Sequence, residues 1–328
     1  MNGRDTPAGA ASREPRVSVL MPMRDPGRFV EEAVRSVLSQ DGADLELLVV
    51  DERAAAVGGS VVDGLSDPRV RVIDGPRSGI AACMNRALEA ARGAVVMRCD
   101  ADDAYPPGRI LAQLDFLRRH PGFVAVCGPF AWMSQAGEPL GSPRVAPQAG
   151  GDDVSGDILA GRLRTHLCTF AFRRSALADV GSFRPFFQTA EDIDFQLRLA
   201  AAGRVGFLPA DAYLYRLHDA SVTHTQATVL REFFEATAHA MARDRRATGS
   251  DALMRGETVA LPAPPRGGHR ADRSARQVSQ LLVGEAWRRF LARDRSGALR
   301  TAWRAVMASP GHADAWRSLL LVGIKPRR

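Results

Sequence analysis

Short apolar segments that alternate with helical stretches constrain the fold of this chain more than any other feature. Four such segments precede residue 100, at 17–22, 45–50, 69–73 and 95–97. Between them, Phe29–Leu38 places apolar side chains three and four residues apart, and Gly79–Leu88 is also predicted to be helical. Short apolar runs are typical of buried strands, and strands alternating with helices predict an α/β fold with a mostly parallel sheet.

Carboxylates follow two of the predicted strands. Asp51 and Glu52 end the second, and Asp100, Asp102 and Asp103 come directly after the fourth. Open α/β sheets bind ligands beyond the carboxyl ends of their strands, so acids at these positions predict a ligand site. Side chains alternate along an extended chain, which would place Asp100 and Asp102 on one side, about 6.6 Å apart. Two such carboxylates suit a hydrated divalent cation that is shared with a phosphate.

A structural role competes with ligand binding for some of these acids. A helix is predicted over 109–119, with Pro106 and Pro107 near its start. Asp103 is a suitable capping residue ahead of such a helix. Asp100 and Asp102 fit that explanation poorly, because adjacent like charges repel unless a cation lies between them.

The segments after residue 120 extend the same pattern. A strand is predicted at Val124–Cys127, a loop over the site at Gly137–Gly156, and an extended stretch at His166–Phe172. A helix is then predicted to open at Thr189-Ala190-Glu191-Asp192, where Thr189 and Asp192 approximate a capping box. Capping of this helix and a chemical role are therefore both open for Asp192.

The net charge of +7 is concentrated in the C-terminal third of the chain. Residues 231–328 hold 19 basic and 9 acidic residues, whereas residues 1–230 hold 25 basic and 28 acidic residues. A basic surface can attract anionic lipid or nucleic acid. A solvated arginine-rich surface is the simpler explanation, and we predict no nucleic-acid partner and at most peripheral membrane contact.

Targeting and redox signals point to the cytoplasm. The longest apolar run near the end, 319–324, is far too short to span a membrane, and the first 15 residues lack the apolar segment of a signal peptide. The four cysteines are widely spaced in apolar contexts, which predicts reduced thiols. We expect a cytoplasmic protein, with association at the inner face of a membrane left open.

The order of these motifs resembles the family 2 glycosyltransferases, which are inverting, nucleotide-sugar-dependent enzymes of the GT-A fold. The resemblance covers about residues 16–225. The matching segments are Val17–Gln40, Asp51-Glu52, Gly79–Asn85, Arg98–Asp103, His166, Arg173-Arg174, Val180–Phe183, Glu191-Asp192 and Tyr215–His218 with Ser221. The family's Asp-x-Asp metal motif corresponds to Asp100-Ala101-Asp102, and its catalytic aspartate corresponds to Asp192.

The resemblance implies a role for each candidate residue. Asp192 is the expected catalytic base, with Glu191 as the next candidate, and Asp102 with Asp100 is expected to hold Mn or Mg. The residues expected to bind the nucleotide sugar are Pro22, Asp25, Asp51, Glu52, Gly79, Asn85, Arg98, Asp100, Asp103 and His218. Asp25 stands where the family usually has asparagine and Glu52 where it has a second aspartate, so the contacts to the base can differ.

The implied chemistry agrees with the residue types. A cation held by Asp102 would stabilise the charge that develops on the leaving diphosphate. Asp192 would accept the proton of the acceptor hydroxyl, and the start of a helix favours its ionised form. The expected donor is a UDP-, GDP- or dTDP-sugar, and the expected acceptor is a hydroxyl, with lipid-linked and protein-linked glycans both open.

The sequence predicts a GT-A domain with a small α-helical C-terminal appendage. The predicted parts are a disordered leader (1–15), the GT-A domain (16–230), a helix (231–248), a Pro/Gly-rich linker (249–275) and a tetratricopeptide-like appendage (276–328). Arrays of this type need about three repeats to stand alone, so the appendage should dock on the catalytic domain or mediate a homodimer.

Three other classes compete with this interpretation. A nicotinamide dehydrogenase and a nucleotidyltransferase are both disfavoured, because Pro22-Met23-Arg24-Asp25 occupies the turn where their glycine-rich phosphate loop would lie. The non-enzymatic alternative is an inactive transferase-like adaptor that acts through its helical tail. Intact Asp102 and Asp192 favour the enzyme.

Overall fold

The computed structural model describes residues 16–24, 28–52, 67–143, 145–147, 152–217, 228–262, 270–291 and 293–324. The strands within these ranges are β1 (Val17–Met23), β2 (Leu45–Asp51), β3 (Val70–Asp74), β4 (Val95–Arg98), β5 (Phe123–Cys127), β6 (Ala131–Met133), β7 (Pro139–Gly141), β8 (Ala171–Arg173), β9 (Arg204–Phe207) and β10 (Leu214–Arg216). The helices are α1 (Val30–Leu38), α2 (Ile80–Ala90), α3 (Arg109–Arg119), α4 (Ser155–Leu159), α5 (Leu177–Val180), α6 (Glu191–Ala202), α7 (Thr228–Thr248), α8 (Arg270–Leu291), α9 (Arg295–Ala308) and α10 (Ala313–Ile324).

A seven-stranded sheet forms the centre of the molecule, in the order β3-β2-β1-β4-β8-β5-β9. All neighbouring strands are parallel except β8, which runs antiparallel to β4 and β5. The predicted α/β fold with a mostly parallel sheet is therefore confirmed. In the register of β1, Leu20 lies between Leu48 of β2 and Arg98 of β4, so these strands end at the same edge.

The central strands are buried on both faces, because each face is covered by helices. Val19 and Met21 of β1 face a cluster that includes α1 and α3, whereas Leu20 faces a cluster with α2 and α6. In α1 the buried side chains are Val30, Ala33, Val34 and Val37, as the spacing predicted.

A second sheet of three strands, β10-β6-β7, lies beside the carboxyl edge of the large one. An isolated bridge between Ala104 and Leu214 joins it to the chain that leaves β4. The stretch 166–172, predicted as extended, instead contains a 3₁₀ turn at Leu167–Thr169 before β8 begins. None of the described helices is both long enough and apolar enough to cross a membrane.

The C-terminal helices α8, α9 and α10 pack together and against the small sheet. Leu282 of α8 lies in one apolar cluster with Leu140 and Leu217 of the catalytic domain. Arg288 donates a hydrogen bond to the Leu140 carbonyl over 3.0 Å, and Arg289 donates to the Pro139 carbonyl over 3.2 Å. In this structure the appendage is therefore docked on the catalytic domain.

Two predicted boundaries of the C-terminal region are wrong. Helix α7 begins at Thr228, three residues before the predicted start, and α8 begins at Arg270, inside the predicted linker 249–275. The first part of that linker is also anchored, because the buried carboxylate of Asp251 forms ion pairs with Arg184 and Arg245. The predicted leader, residues 1–15, lies outside the described residues.

Candidate active site

A cleft with a volume of about 570 Å³ opens at the carboxyl edge of β1, β2 and β4. The opposite walls come from the start of α6, the segment 164–168 and one face of α7. The predicted site residues that line it are Pro22, Glu52, Gly79, Arg98, Asp100, Asp102, Asp103, Glu191 and Asp192. The fold thus brings together acids that lie 140 residues apart in the sequence.

The two aspartates of the Asp-x-Asp motif lie in a turn rather than on a strand. Strand β4 ends at Arg98, and the Asp103 amide donates to the Asp100 carbonyl over 3.2 Å. The predicted alternation of Asp100 and Asp102 along an extended chain is therefore wrong. The turn sets the relative positions of the two aspartates. Arg216 stabilises its shape, because Nε of Arg216 donates to the Asp102 carbonyl over 2.7 Å.

Asp103 links this turn to the small sheet. Its Oδ1 accepts the Arg216 amide over 2.7 Å, and its side chain is almost fully buried. Burial, together with the charges of Asp102 and Asp100, raises the pKa of Asp103 well above its usual value. Asp103 does not cap the next helix, because the residue before α3 is Gly108 in a left-handed conformation.

Arg98 connects the metal motif to the predicted catalytic pair. Its Nε lies 2.6 Å from Oδ1 of Asp100, and its Nη1 lies 3.2 Å from Oε1 of Glu191. The three side chains form a row of alternating charge in the floor of the cleft, and the guanidinium is largely buried there. Such a fork holds both carboxylates in fixed orientations.

Glu191 and Asp192 open α6 after Ala190, whose φ of 60° is left-handed. Burial and the neighbouring charge of Asp192 raise the pKa of Glu191 to about 7, although Arg98 acts in the opposite direction. Asp192 Oδ1 accepts the Ile193 amide over 2.9 Å. The prediction of an approximate capping box is wrong. Ala190 rather than Thr189 precedes the helix, and no side-chain capping bond forms there.

An aromatic wall faces this pair across the cleft. The ring of His166 stacks on Tyr215 with centroids 5.2 Å apart, and its edge meets Phe130 at 4.5 Å. Burial lowers the pKa of His166, although the negative charge of Asp192 opposes that effect. A neutral imidazole packed in this way is suited to shaping the cleft.

Two predicted ligand-binding residues, Asn85 and Asp51, are described by the structure but do not line the cleft. Asn85 instead donates to the Phe183 carbonyl over 2.9 Å and accepts its amide over 2.8 Å, which fixes the loop before α6. Asp51 ends β2, and its carbonyl accepts the Gly75 amide over 2.8 Å. Asp25 and His218 lie outside the described residues.

The face that α7 presents to the cleft was not predicted. Arg231, Glu235 and His239 lie one helical turn apart and line the cleft, and Arg164 forms an ion pair with Glu235. A spacing of four between these polar residues indicates that they share one face of a helix, and this could have been read from the sequence. The same helix buries Phe234. The sequence contains no feature that shows which domain face this helix covers.

The donor atoms around the turn fit a hydrated divalent cation. Within the described ranges, no group of three or more His, Cys, Asp or Glu side chains is arranged to hold a metal by itself. Mg²⁺ is commonly bound by only one or two carboxylates, with water and substrate phosphate completing its shell. Asp102 and Asp100, both bordering the cleft, provide that number of carboxylates.

Comparison with known proteins agrees with this geometry. The model of the family described as Glycosyl transferase family 2 matches residues 18–181, which include all but the first residue of β1, the Asp-x-Asp turn and β8. This chain belongs to that family. The predicted family and enzyme class are confirmed, and the protein is a family 2 glycosyltransferase.

Individual relatives of this glycosyltransferase are distant. It is 24% identical over 209 residues to hyaluronan synthase of Pasteurella multocida, covering 63% of this chain and 21% of the synthase. It is 30% identical over 139 residues to TuaG of Bacillus subtilis, described as a teichuronic acid biosynthesis glycosyltransferase, covering 42% of this chain and 55% of TuaG. The matched regions thus cover about a fifth of the length of hyaluronan synthase and about half of the length of TuaG.

A solved structure shares the fold of this glycosyltransferase. The fragment 1–349 of S. aureus TarS, in complex with UDP-GlcNAc, aligns with a TM-score of 0.56 at 15% identity. The alignment covers 87% of this chain and 89% of that chain. At that coverage the alignment extends beyond the residues of the family match, and it confirms the GT-A fold class.

Proposed function

We propose that this glycosyltransferase moves a sugar with inversion from a nucleoside diphosphate to a hydroxyl acceptor, with Asp192 as the base. The observation that carries the proposal is the position of Asp192. It lies at the start of α6 in the same cleft as the Asp100–Asp103 turn. One displacement with inversion needs a proton acceptor and a stabilised leaving group within one cavity.

Asp192 suits the role of base better than Glu191 does. Glu191 is buried against Arg98, and this burial raises its pKa to about 7. Its carboxylate is also engaged by the guanidinium, so it is suited to positioning. Asp192 borders the cleft, where a bound acceptor can reach it, and its Oδ1 accepts the Ile193 amide over 2.9 Å.

Asp102, together with Asp100, would hold Mn or Mg in the working enzyme. When bound, the cation would act as a Lewis acid toward the leaving diphosphate. The protein's own contribution is to hold the two carboxylates in place. Arg216 fixes the backbone of Asp102, and Arg98 fixes the side chain of Asp100.

The donor would lie between the strand ends and the start of α2. Pro22, Glu52 and Gly79 line that part of the cleft, and Gly79, with φ of 99°, precedes α2. The left-handed backbone and missing side chain at Gly79 allow a ligand to approach the chain closely. The UDP-GlcNAc complex of TarS supports a UDP-sugar as the first donor to test.

Relatives suggest the biological setting. Hyaluronan synthase and TuaG are named for polysaccharide products, so we place this enzyme in polysaccharide or cell-envelope assembly. An inactive adaptor remains the alternative class. Asp102 and Asp192 both line the cleft, which favours the enzyme over the adaptor.

The test of the base is Asp192→Asn, with hydrolysis of UDP-GlcNAc as an assay that needs no known acceptor. We expect turnover to fall by a factor of about 10²–10⁴, the range of a positioned acid–base group, while UDP affinity stays close to that of the parent. Asp179→Asn, at an exposed carboxylate of α5, is the control and should change neither. Unchanged turnover in Asp192→Asn would place the base elsewhere.

The test of the metal is calorimetry with UDP. We expect clear binding with manganese and little binding after chelation, and we expect Asp102→Asn to weaken binding only when manganese is present. Equal affinity with and without metal would contradict the metal assignment. A parent protein that binds UDP-GlcNAc but never turns it over, with any acceptor or water, would favour the adaptor.

A further inference from the structure

Helices α9 and α10 bury mainly small side chains and expose several of their largest apolar ones. The residues that fill the inside of the appendage include Ala298, Ala302, Ala305 and Ala315, all fully buried. The exposed apolar residues of the two helices are Trp303 (51% exposed), Met307 (61%), Trp316 (49%), Leu320 (64%) and Ile324 (66%). A helix that packs on a soluble domain normally shows the opposite distribution. Contiguous exposed apolar patches of this kind mark interaction sites.

These five residues form one surface, which we call the tryptophan face. Trp303 and Trp316 meet edge to face with ring centroids 6.5 Å apart, so the stripes of the two helices adjoin. Met307 follows Trp303 by one turn, and Leu320 follows Trp316 by one turn. The indole N–H of Trp316 donates to the Pro310 carbonyl over 2.9 Å, which fixes the ring without using a partner from outside.

Arginines border the tryptophan face. Arg300 and Arg304 are exposed on α9, each three residues before an apolar member of the face, and Arg317 is exposed on α10 beside Trp316. The sequence of these two helices contains four arginines and a single acid, Asp314. Directly after the last described residue, the sequence adds Lys325, Arg327 and Arg328.

We propose that the tryptophan face and its arginines bind the surface of an anionic phospholipid bilayer. Tryptophan rings favour the boundary between headgroups and acyl chains, leucine and isoleucine favour the acyl region, and arginines attract anionic headgroups. An anionic bilayer therefore offers a favourable region to each class of exposed side chain on this surface. The proposal goes beyond the transfer reaction and does not depend on it.

Two other occupants fit the same surface less well. A symmetric homodimer through this face would bring the arginine rims of two copies together, because a two-fold interface pairs a patch with itself. Nucleic acid would satisfy the arginines but would offer no apolar counterpart to Leu320 and Ile324. The excess of basic residues in 231–328, 19 against 9 acidic, complements an anionic surface.

Bilayer binding at this face would hold the catalytic domain near the membrane. Helix α8 anchors the appendage through Arg288 and Arg289, and Arg304 of α9 lies 3.7 Å from Glu138 of the catalytic domain. The face and the cleft thus belong to one packed body. An acceptor held in the bilayer would then be met by an enzyme already concentrated at its surface.

The experiment is co-flotation of the full-length protein with unilamellar vesicles. One set contains phosphatidylcholine alone, and the other contains phosphatidylcholine mixed with phosphatidylglycerol. We expect binding only to the anionic vesicles, weakened at high salt because salt screens the arginine–headgroup attraction. Tryptophan fluorescence should shift to shorter wavelength on binding, as exposed indoles leave water.

Two variants separate the apolar and charged contributions. Trp303→Ser combined with Trp316→Ser should lower the vesicle partition coefficient by at least about tenfold. Arg300→Gln, Arg304→Gln and Arg317→Gln together should lower it by about two orders of magnitude on anionic vesicles. The matched control is the triple variant Arg35→Gln, Arg86→Gln and Arg118→Gln, which removes three exposed arginines from the catalytic domain and should change binding little.

Melting curves of each variant test for a folding defect. We expect none, because all substituted side chains are exposed. The proposal is overturned if the parent does not bind anionic vesicles, or if the control triple weakens binding as much as the triple at the face. It is also overturned if sedimentation shows a dimer that the double tryptophan variant converts to a monomer, because a second copy would then occupy the face. None of these outcomes depends on the donor or the acceptor.

Discussion

Nη1 of Arg98 lies 3.2 Å from Oε1 of Glu191, although the two residues are 93 positions apart in the chain. Arg98 ends the strand that leads to the Asp-x-Asp turn, and Glu191 begins the helix that carries the proposed base. One guanidinium thus joins the metal-binding side of the cleft to the catalytic side. Because burial raises the pKa of Glu191 to about 7 despite this contact, the charge on Glu191 is sensitive to pH near neutrality.

Glu191 should make the protein less stable as the pH rises. Its pKa is about 7 when folded and 4.5 when unfolded, so the folded state holds more protons between these values. The free energy of unfolding should therefore fall from pH 4.5 to about 7, with the loss complete above that range. Glu191→Gln cannot ionise, so its urea-unfolding free energy minus that of the parent should rise across this window. A constant difference between the two proteins would contradict the raised pKa.

Arg216 should be required for the shape of the Asp-x-Asp turn. Its side chain is buried, donates to the Asp102 carbonyl and lies 2.7 Å from Glu32. Arg216→Lys keeps the charge but loses the planar fork, so we expect UDP affinity in manganese to fall by about tenfold or more. Calorimetry measures this, with the exposed, ion-paired Arg35→Lys as control. Unchanged affinity would show that the turn holds its shape without Arg216.

Asp251 should anchor the chain that follows α7. Its buried carboxylate pairs with Arg184 and Arg245. Although burial opposes ionisation, the Met254 amide and both arginines lower its pKa to about 2. Asp251→Asn should cost about 3–5 kcal/mol, the range for breaking a buried pair, measured by urea unfolding at neutral pH.

The stabilisation from Asp251 is fully present above its usual pKa of 3.8 and is lost as the pH falls toward about 2. The difference between parent and Asp251→Asn should therefore shrink in acid. Glu257→Gln, at an exposed carboxylate of the same segment, should have little effect. A small effect of Asp251→Asn at neutral pH would show that Asp251 does not anchor this segment and would favour the predicted linker.

Leu282 should hold the appendage on the catalytic domain. It is buried in the cluster with Leu140 and Leu217, whereas Leu291 of the same helix is 78% exposed. Leu282→Ala should destabilise the docked appendage by about 2–5 kcal/mol, and Leu291→Ala should be nearly neutral. Limited proteolysis of the segment before α8 reports undocking. Equal resistance of both variants would indicate that this contact does not hold the appendage.

The layout of the catalytic domain could be predicted from local patterns in the sequence. Apolar runs and helical spacing are local patterns, because burial imposes a period of two or 3.6 on the chain wherever it forms a strand or helix. They located β1, β2, β4 and α3 closely, and the acids after β2 and β4 indicated which edge of the sheet holds the cleft. The order of the motifs was sufficient to indicate the family.

The partners of the polar side chains, in contrast, depend on how distant segments pack together. Asn85 binds the backbone of Phe183, Asp103 binds that of Arg216, and Arg216 shapes the turn at Asp102. Each contact joins residues about 100 positions apart, and nothing in the local sequence specifies such a partner. The tryptophan face likewise follows from which side of α9 and α10 the appendage buries. A residue's type limits the bonds that it can make, but the packing of distant segments determines which partner is within reach.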